Sequence, residues 1–257
     1  MATRARLFIP PHKLALRVVL DGAECHYLVH VLRLRPGSAV TLLDGEGRQA
    51  EAQVSAVREA QVELTVAQIA QAPTERPRLL LLCGLLKGDK QDFVMQKATE
   101  LGTSRIVPVA CERSVPQLAS ERAEQKRRRW VEIARHAAQQ CRRPEVPQIA
   151  LPLPFAQALA EAEGQKLLLY EGSAPPLGQV LESFGQSDSG SAQPVVSVLV
   201  GPEGGLSDSE VKAAQAAGFA SVSLGPLILR AETAVVAALA VVGYHLHCQG
   251  APLAKSC

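Results

Sequence analysis

Aromatic residues are scarce in this 257-residue chain: one Trp, three Tyr and five Phe, 4% in all. That scarcity argues against modules that grip single strands by stacking bases on aromatic platforms. Six cysteines stand at 25, 83, 111, 141, 248 and 257, with no C-x-x-C pair and no clustered histidine. A structural zinc site and a disulfide framework are both unexpected on that pattern, and no metal is expected. Long apolar runs are missing too. The longest, Ala234–Tyr244, is too short to span a bilayer, and Pro10-Pro11 interrupts any signal-like start. A cytoplasmic, membrane-free protein is expected. Net charge is only +2, so the whole-chain balance announces no polyanionic partner.

What is present begins with the distribution of that charge. Residues 1–36 carry six Lys/Arg against two acids, and residues 121–143 carry eight against three. The remainder is therefore acidic, and two basic zones on an acidic background have the form of a phosphate-binding footprint. Solvated helix faces explain either zone equally well. Hydrophobic residues at 47% and charged residues at 20% are an ordinary globular balance, enough for about two domains.

The first 70 residues read as β-rich. Gln61–Ala67 alternates, with Val62, Leu64 and Val66 on one face, and turn residues recur at Gly22, Pro36-Gly37 and Asp44–Gly47. A small barrel over 1–72 is the simplest architecture. A polar, proline-interrupted linker follows at 71–78. From Leu79 onward strands and helices alternate: an apolar run at Leu79–Cys83, a helix over Asp92–Leu101, a strand at Arg105–Val109, and a long helix striped by Trp130, Ile133, Ala134, Ala137 and Cys141. Further strands fall at Lys166–Tyr170, Val195–Val200 and Ser221–Leu224, and a last apolar helix at Glu232–His247. This alternation predicts an α/β domain with a mostly parallel sheet over 79–248. Ser187–Gln193 reads as a surface loop.

Two glycine-proline turns are the most informative features. Val195–Val200 runs into Gly201-Pro-Glu-Gly-Gly205, and Ser207 with Glu210 has capping-box spacing for the next helix. No lysine follows as in a P-loop, and the glycines do not fit G-x-G-x-x-G. Glu203, Asp208 and Glu210 would repel a pyrophosphate, so a neutral or cationic ligand fits better. The second turn, Leu224-Gly-Pro-Leu-Ile-Leu-Arg230, leads through Glu232 and Thr233 into an apolar helix. A cation at a helix N-terminus is disfavoured by the dipole, so capping does not account for Arg230.

Together with Lys87-Gly-Asp-Lys90, Gln96–Gly102, Glu112-Arg-Ser114, Arg6–Pro10 and His30-Val-Leu-Arg33, these turns resemble the RsmE family. Its members are 16S ribosomal RNA uridine N3-methyltransferases of the SPOUT superfamily. The chain departs from the family pattern at Leu206, Gln91 and Ser38, and at Leu227, where arginine is frequent. The resemblance implies a PUA-like β-barrel followed by a SPOUT-type domain with a deep trefoil knot at roughly 166–234. It also implies a homodimer, and S-adenosyl-L-methionine as cofactor. The cofactor positions carried over are Leu169, Tyr170 and Glu171; Val200, Gly201, Pro202, Glu203 and Gly204; and Leu224, Gly225, Pro226, Ile228, Leu229 and Arg230.

The implied substrate is a uridine near the 3′ end of 16S RNA on the small ribosomal subunit. Its N3 must lose a proton, so Arg230 is expected to stabilise the uracil anion, with Glu203 a weak candidate base. Arg6, His30, Arg33 and Arg35, joined by Lys87 and Lys90, are the expected RNA grip. His30 reads more readily as a satisfied, half-buried histidine. Lys126–Arg129 either binds phosphate or merely flanks the Trp130 stripe. A ribose 2′-O-methyltransferase and a non-catalytic RNA-binding assembly factor are the alternative classes.

Overall fold

The computed structural model describes residues 5–71, 78–114, 120–184 and 194–250. Most of the expected linker and the 187–193 insertion lie outside the described residues. The chain divides into two compact units, residues 1–74 with 135–146, and residues 75–134 with 147–257.

In the first unit, strands β1 (Ala5–Phe8), β2 (Arg17–Asp21), β3 (Ala39–Leu43), β4 (Arg48–Val57) and β5 (Gln61–Gln71) pair in the order β1-β3-β4-β5-β2. The β1–β3 pair is parallel and the others antiparallel. In the region expected to be a small barrel, the described strands pair along one path with β1 and β2 at its ends. The period-two pattern of β5 delivers Val62, Leu64 and Val66 into the core with Leu20, Leu28 and Leu42. Each such side chain contributes about 1.5–3 kcal/mol on burial. Gly22, read as a tight turn, instead opens helix α1 (Gly22–His26), which runs into a π-helical turn at Tyr27–Val31. Neither begins with a side-chain cap hydrogen bond, although Asp21 stands at the N-cap position of α1.

Residues 135–146, inside the second domain of the sequence reading, pack with this first unit. Ala138 and Val146 join Phe8 and Leu43 in a small cluster. The Gln139 amide donates to the Arg6 carbonyl at 2.8 Å.

The second unit is built on strands β6 (Arg78–Gly84), β7 (Arg105–Ala110), β8 (Gln148–Ile149), β9 (Leu153–Pro154), β10 (Gln165–Leu169), β11 (Val195–Val200) and β12 (Ala220–Val222). Their order is β12-β10-β11-β6-β7-β8, with β9 also on β7, and every pair is parallel. Leu79–Cys83 is buried along its whole length, as a strand covered on both faces must be. The connecting helices are α2 (Asp89–Glu100), α3 (Ser120–Gln140), α4 (Phe155–Ala160), α5 (Leu177–Phe184), α6 (Asp208–Ala216) and α7 (Ala231–Gly250). Helix α6 starts where the capping-box spacing predicts. Ser207 Oγ accepts from the Glu210 N–H at 3.3 Å, and Glu210 Oε2 accepts from the Ser207 N–H at 2.9 Å.

The sideways progression of strand order reverses about β10. The step from β10 leads to β11 on one side, and the step from β11 leads back to β12 on the other. Such a reversal opens a crevice at the carboxyl ends of the strands, where ligands of open α/β sheets bind.

Candidate active site

The crevice is occupied by a cleft of about 510 Å³, walled by three loops that leave β10, β11 and β12. Leu169, Tyr170 and Glu171 come from the first loop. Val200, Gly201, Pro202, Glu203 and Gly204 come from the second. Leu224, Gly225, Pro226, Ile228, Leu229 and Arg230 come from the third. All fourteen positions proposed for the cofactor thus line one cavity. Lys90, Arg113, Leu206, Val211 and Ser223 complete much of the wall.

Close backbone packing shapes the second loop. Gly84 ends β6 directly beneath it, and a Cβ there would lie 2.4 Å from the Pro202 nitrogen. Only a glycine lets those two backbone segments touch. Nothing local in the sequence distinguishes Gly84 from an ordinary strand end.

Glu203 is held rather than free. Its Oε1 accepts from the Lys90 ammonium at 3.1 Å and from the Lys87 backbone N–H at 3.2 Å. Burial pushes its carboxyl up, but hydrogen bonds from the Lys87 N–H, its own N–H and Lys90 outweigh that and hold it below the ordinary carboxylate value. Lys90 also lies 4.0 Å from Glu232, so its charge is spent within the site. Arg230 differs. It is exposed at the cleft and forms no side-chain hydrogen bond or ion pair with any described residue, so a structural ion pair does not explain it.

In the sequence Glu210 stands with Glu203 and Asp208 as a charge that would repel a pyrophosphate. Instead it is buried, and both its oxygens are taken up by backbone N–H groups, those of Ser207 and Glu112. Burial pushes the thiols of Cys83 and Cys111 up, to about 12 for Cys111. Neither is a nucleophile at neutral pH, and no cysteine lines the cleft. Among the described residues no group of His, Cys, Asp and Glu could hold a metal ion, and no helix is long and apolar enough to cross a membrane.

Of the residues expected to grip RNA, Arg6, His30, Arg33 and Arg35 belong to the first unit, and Lys87 and Lys90 to the second. His30 is exposed rather than half-buried, its ring 5.0 Å from that of His26. Arg33 is exposed and sits in a left-handed conformation, φ 54°, which non-glycine residues adopt only at a cost. Arg35 is exposed, and its N–H donates to Ser38 Oγ at 3.0 Å, so Ser38 serves as the turn acceptor that an aspartate would supply. Arg6 is half-buried beside Arg142, and its Nε lacks a hydrogen-bond partner. On α3, Arg127 donates to the Ile149 carbonyl and Arg129 pairs with Asp92, so these two members of the basic cluster brace the fold.

Residues 73–243 match the RNA methyltransferase domain family, and residues 20–66 match the RNA methyltransferase PUA domain family. The Bacillus subtilis ribosomal RNA small subunit methyltransferase E is 32% identical over 233 residues, 88% of this chain and 89% of that one. The Synechocystis enzyme of the same name is 34% identical over 92% of this chain and 76% of its own. A Neisseria gonorrhoeae ribosomal RNA small subunit methyltransferase E, solved with S-adenosyl methionine, aligns with a TM-score of 0.78 at 31% identity, covering 93% and 96% of the two chains. A Legionella pneumophila protein solved with the same cofactor aligns at 0.81 and 28% identity, covering 95% and 98%. The α/β architecture is accordingly an N-terminal PUA-like domain and a C-terminal SPOUT-type methyltransferase domain. The chain belongs to the ribosomal RNA small subunit methyltransferase E family.

Proposed function

We propose that this protein methylates N3 of a uridine in 16S ribosomal RNA on the small ribosomal subunit, using S-adenosyl-L-methionine. One observation carries the reading: three loops at a sheet reversal converge on a single cleft that also presents an arginine with no ion-pair partner among the described residues.

The residues present suit this cofactor. The cleft volume lies in the range of about 300–1,000 Å³ usual for small-molecule sites. Apolar Leu169, Val200, Leu206, Val222, Ile228 and Leu229 would take an adenine ring and an aliphatic chain. The exposed carboxylate of Glu171, with no phosphate-binding lysine loop, suits a cation better than a pyrophosphate, while Glu203 is already paired with Lys90. When bound, the cofactor supplies a methyl group on a positively charged sulfur.

The protein's own residues then have three tasks. The glycine at 84 lets the second loop pack closely on the end of β6. Arg230, charged at any working pH, stabilises the negative charge that uracil acquires when N3 loses its proton. The remaining rate enhancement comes from holding N3 in line, since well-oriented reactants gain about 7–11 kcal/mol. Glu203, with its lowered proton affinity and its ion pair, serves to anchor the second loop and not to take the N3 proton.

The exposed Arg33, Arg35 and His30 of the PUA-like domain, with Lys87, are assigned to RNA, and half-buried Arg6 supports them. A trefoil knot at roughly 166–234 is inferred from the family, and the return of the chain across β10 is compatible with it. Exposed Leu227, Ile228 and Tyr244, at 77%, 79% and 73%, suit a homodimer contact. The protein is inferred to act in the cytoplasm. Transfer of a labelled methyl group to small subunits from a strain lacking this protein tests the function, and absence of transfer would overturn it.

A further inference from the structure

We propose that Arg113 is a substrate-contacting residue whose guanidinium binds an anionic oxygen of the RNA at the cleft mouth. The inference rests on the RNA methyltransferase reading above.

Arg113 lies in a turn just after β7 that is pinned on both sides. The Cys111 N–H donates to Ser114 Oγ at 3.2 Å, and the Ser114 N–H returns to the Cys111 carbonyl at 3.0 Å. The Glu112 N–H donates to Glu210 Oε1 at 2.8 Å, on the same carboxylate that closes the α6 capping box. The Glu-Arg-Ser motif is therefore fastened through its neighbours, and the arginine side chain is left to the cleft.

That side chain lies along the second loop. A Cβ on Gly204 would come 3.1 Å from Arg113 Cβ, and Arg113 Nη1 donates to the Gly204 carbonyl at 3.2 Å. A guanidinium carries five N–H donors in a planar fork, and this bond uses one. Arg113 is exposed, and no carboxylate of the described residues pairs with it. Of the five charged residues lining the cleft, Lys90 and Glu203 neutralise each other, Glu171 is an exposed carboxylate, and Arg113 and Arg230 form no ion pair with any described residue. A purely structural role would use the carbonyl contact alone and gain nothing from an uncompensated charge. A planar fork with free donors matches a phosphate or the oxygen of a uracil anion.

Full-length wild type, Arg113→Ala and Arg113→Lys are compared for cofactor affinity by calorimetry. Methyl transfer to small subunits is then followed at varied subunit and salt concentrations. The expected result is a fall in kcat/KM of at least about tenfold for Arg113→Ala, partly restored by lysine, with cofactor Kd within about threefold. A phosphate contact raises KM, keeps kcat, and lowers the salt slope by about one. A contact to the charged uracil oxygen lowers kcat and leaves KM nearly unchanged. An unchanged kcat/KM, or a loss of cofactor affinity that accounts for the whole fall, overturns the proposal. A wild type inactive on subunits overturns the proposed function and this inference with it. An active wild type with an unaffected Arg113→Ala variant overturns this inference alone.

Discussion

Lys90 and Glu203 form an ion pair at the cleft, Nζ to Oε1 at 3.1 Å, joining the first turn of α2 to the glycine loop after β11. We infer that the pair anchors the glycine loop, in place of the RNA contact expected of Lys90 and the base role expected of Glu203. A lost general base costs about 10²–10⁴-fold. Glu203→Gln is expected to slow single-turnover methyl transfer by less than about tenfold, through loosening of the loop.

The sign of the pH dependence follows from the same carboxyl. Its folded pKa lies below the unfolded one, so its stabilisation is present above the ordinary carboxylate range and lost as pH falls through the folded value. Glu203 should thus give no limb to the activity profile near neutrality, and a limb there that Glu203→Gln removes would contradict its role as an anchor.

Arg230 is the residue assigned to the uracil anion. Arg230→Ala is expected to reduce kcat by about 10²-fold or more, the scale of a lost oxyanion donor, with cofactor affinity unchanged within a few-fold. Single-turnover kinetics beside calorimetry separate the two quantities. Turnover equal to wild type would remove Arg230 from the mechanism.

The approach of Gly84 to Pro202 makes a sharper structural prediction. A methyl group at 84 would need to displace backbone lying 2.4 Å away, and that backbone belongs to the cofactor loop. Gly84→Ala should weaken cofactor binding by about tenfold or more, equivalent to 1.4 kcal/mol, as calorimetry would read it. Gly178→Ala serves as the comparison, because a Cβ there meets nothing within 4 Å and the backbone is not in the left-handed region.

How much of this was legible in the sequence depended on how local the cause was. The Ser207–Glu210 cap was readable because both partners lie within one turn and use a side chain–backbone exchange that any helix start can make. The same holds for β5, whose alternation needs only a sheet with one buried face. The Lys90–Glu203 pair was not readable, since its members stand 113 positions apart. Nor was the second bond of Glu210 to the Glu112 N–H, which turns an apparent surface acid into a buried brace. The helical segment at 22–31 makes no side-chain cap, and the packing of Ala138, in the last turn of α3, on Phe8 and Leu43 was not readable because it joins positions far apart in the chain.

That brace is testable by stability. Ser207→Ala removes one cap and should cost about 1 kcal/mol. Glu210→Ala strands two backbone donors and should cost about 2 kcal/mol or more. Urea unfolding of both variants should show the larger loss at Glu210; equal losses would mean that the Glu112 contact contributes nothing.

The central claim is that this cleft places a methyl group on N3 of uridine. Small subunits methylated by the purified protein, digested to nucleosides and resolved by mass spectrometry, identify the modified atom directly. The predicted product is 3-methyluridine from 16S RNA, formed by wild type and missing with Arg230→Ala. A methyl group found on the ribose 2′-oxygen, or no methylated nucleoside at all, would contradict it.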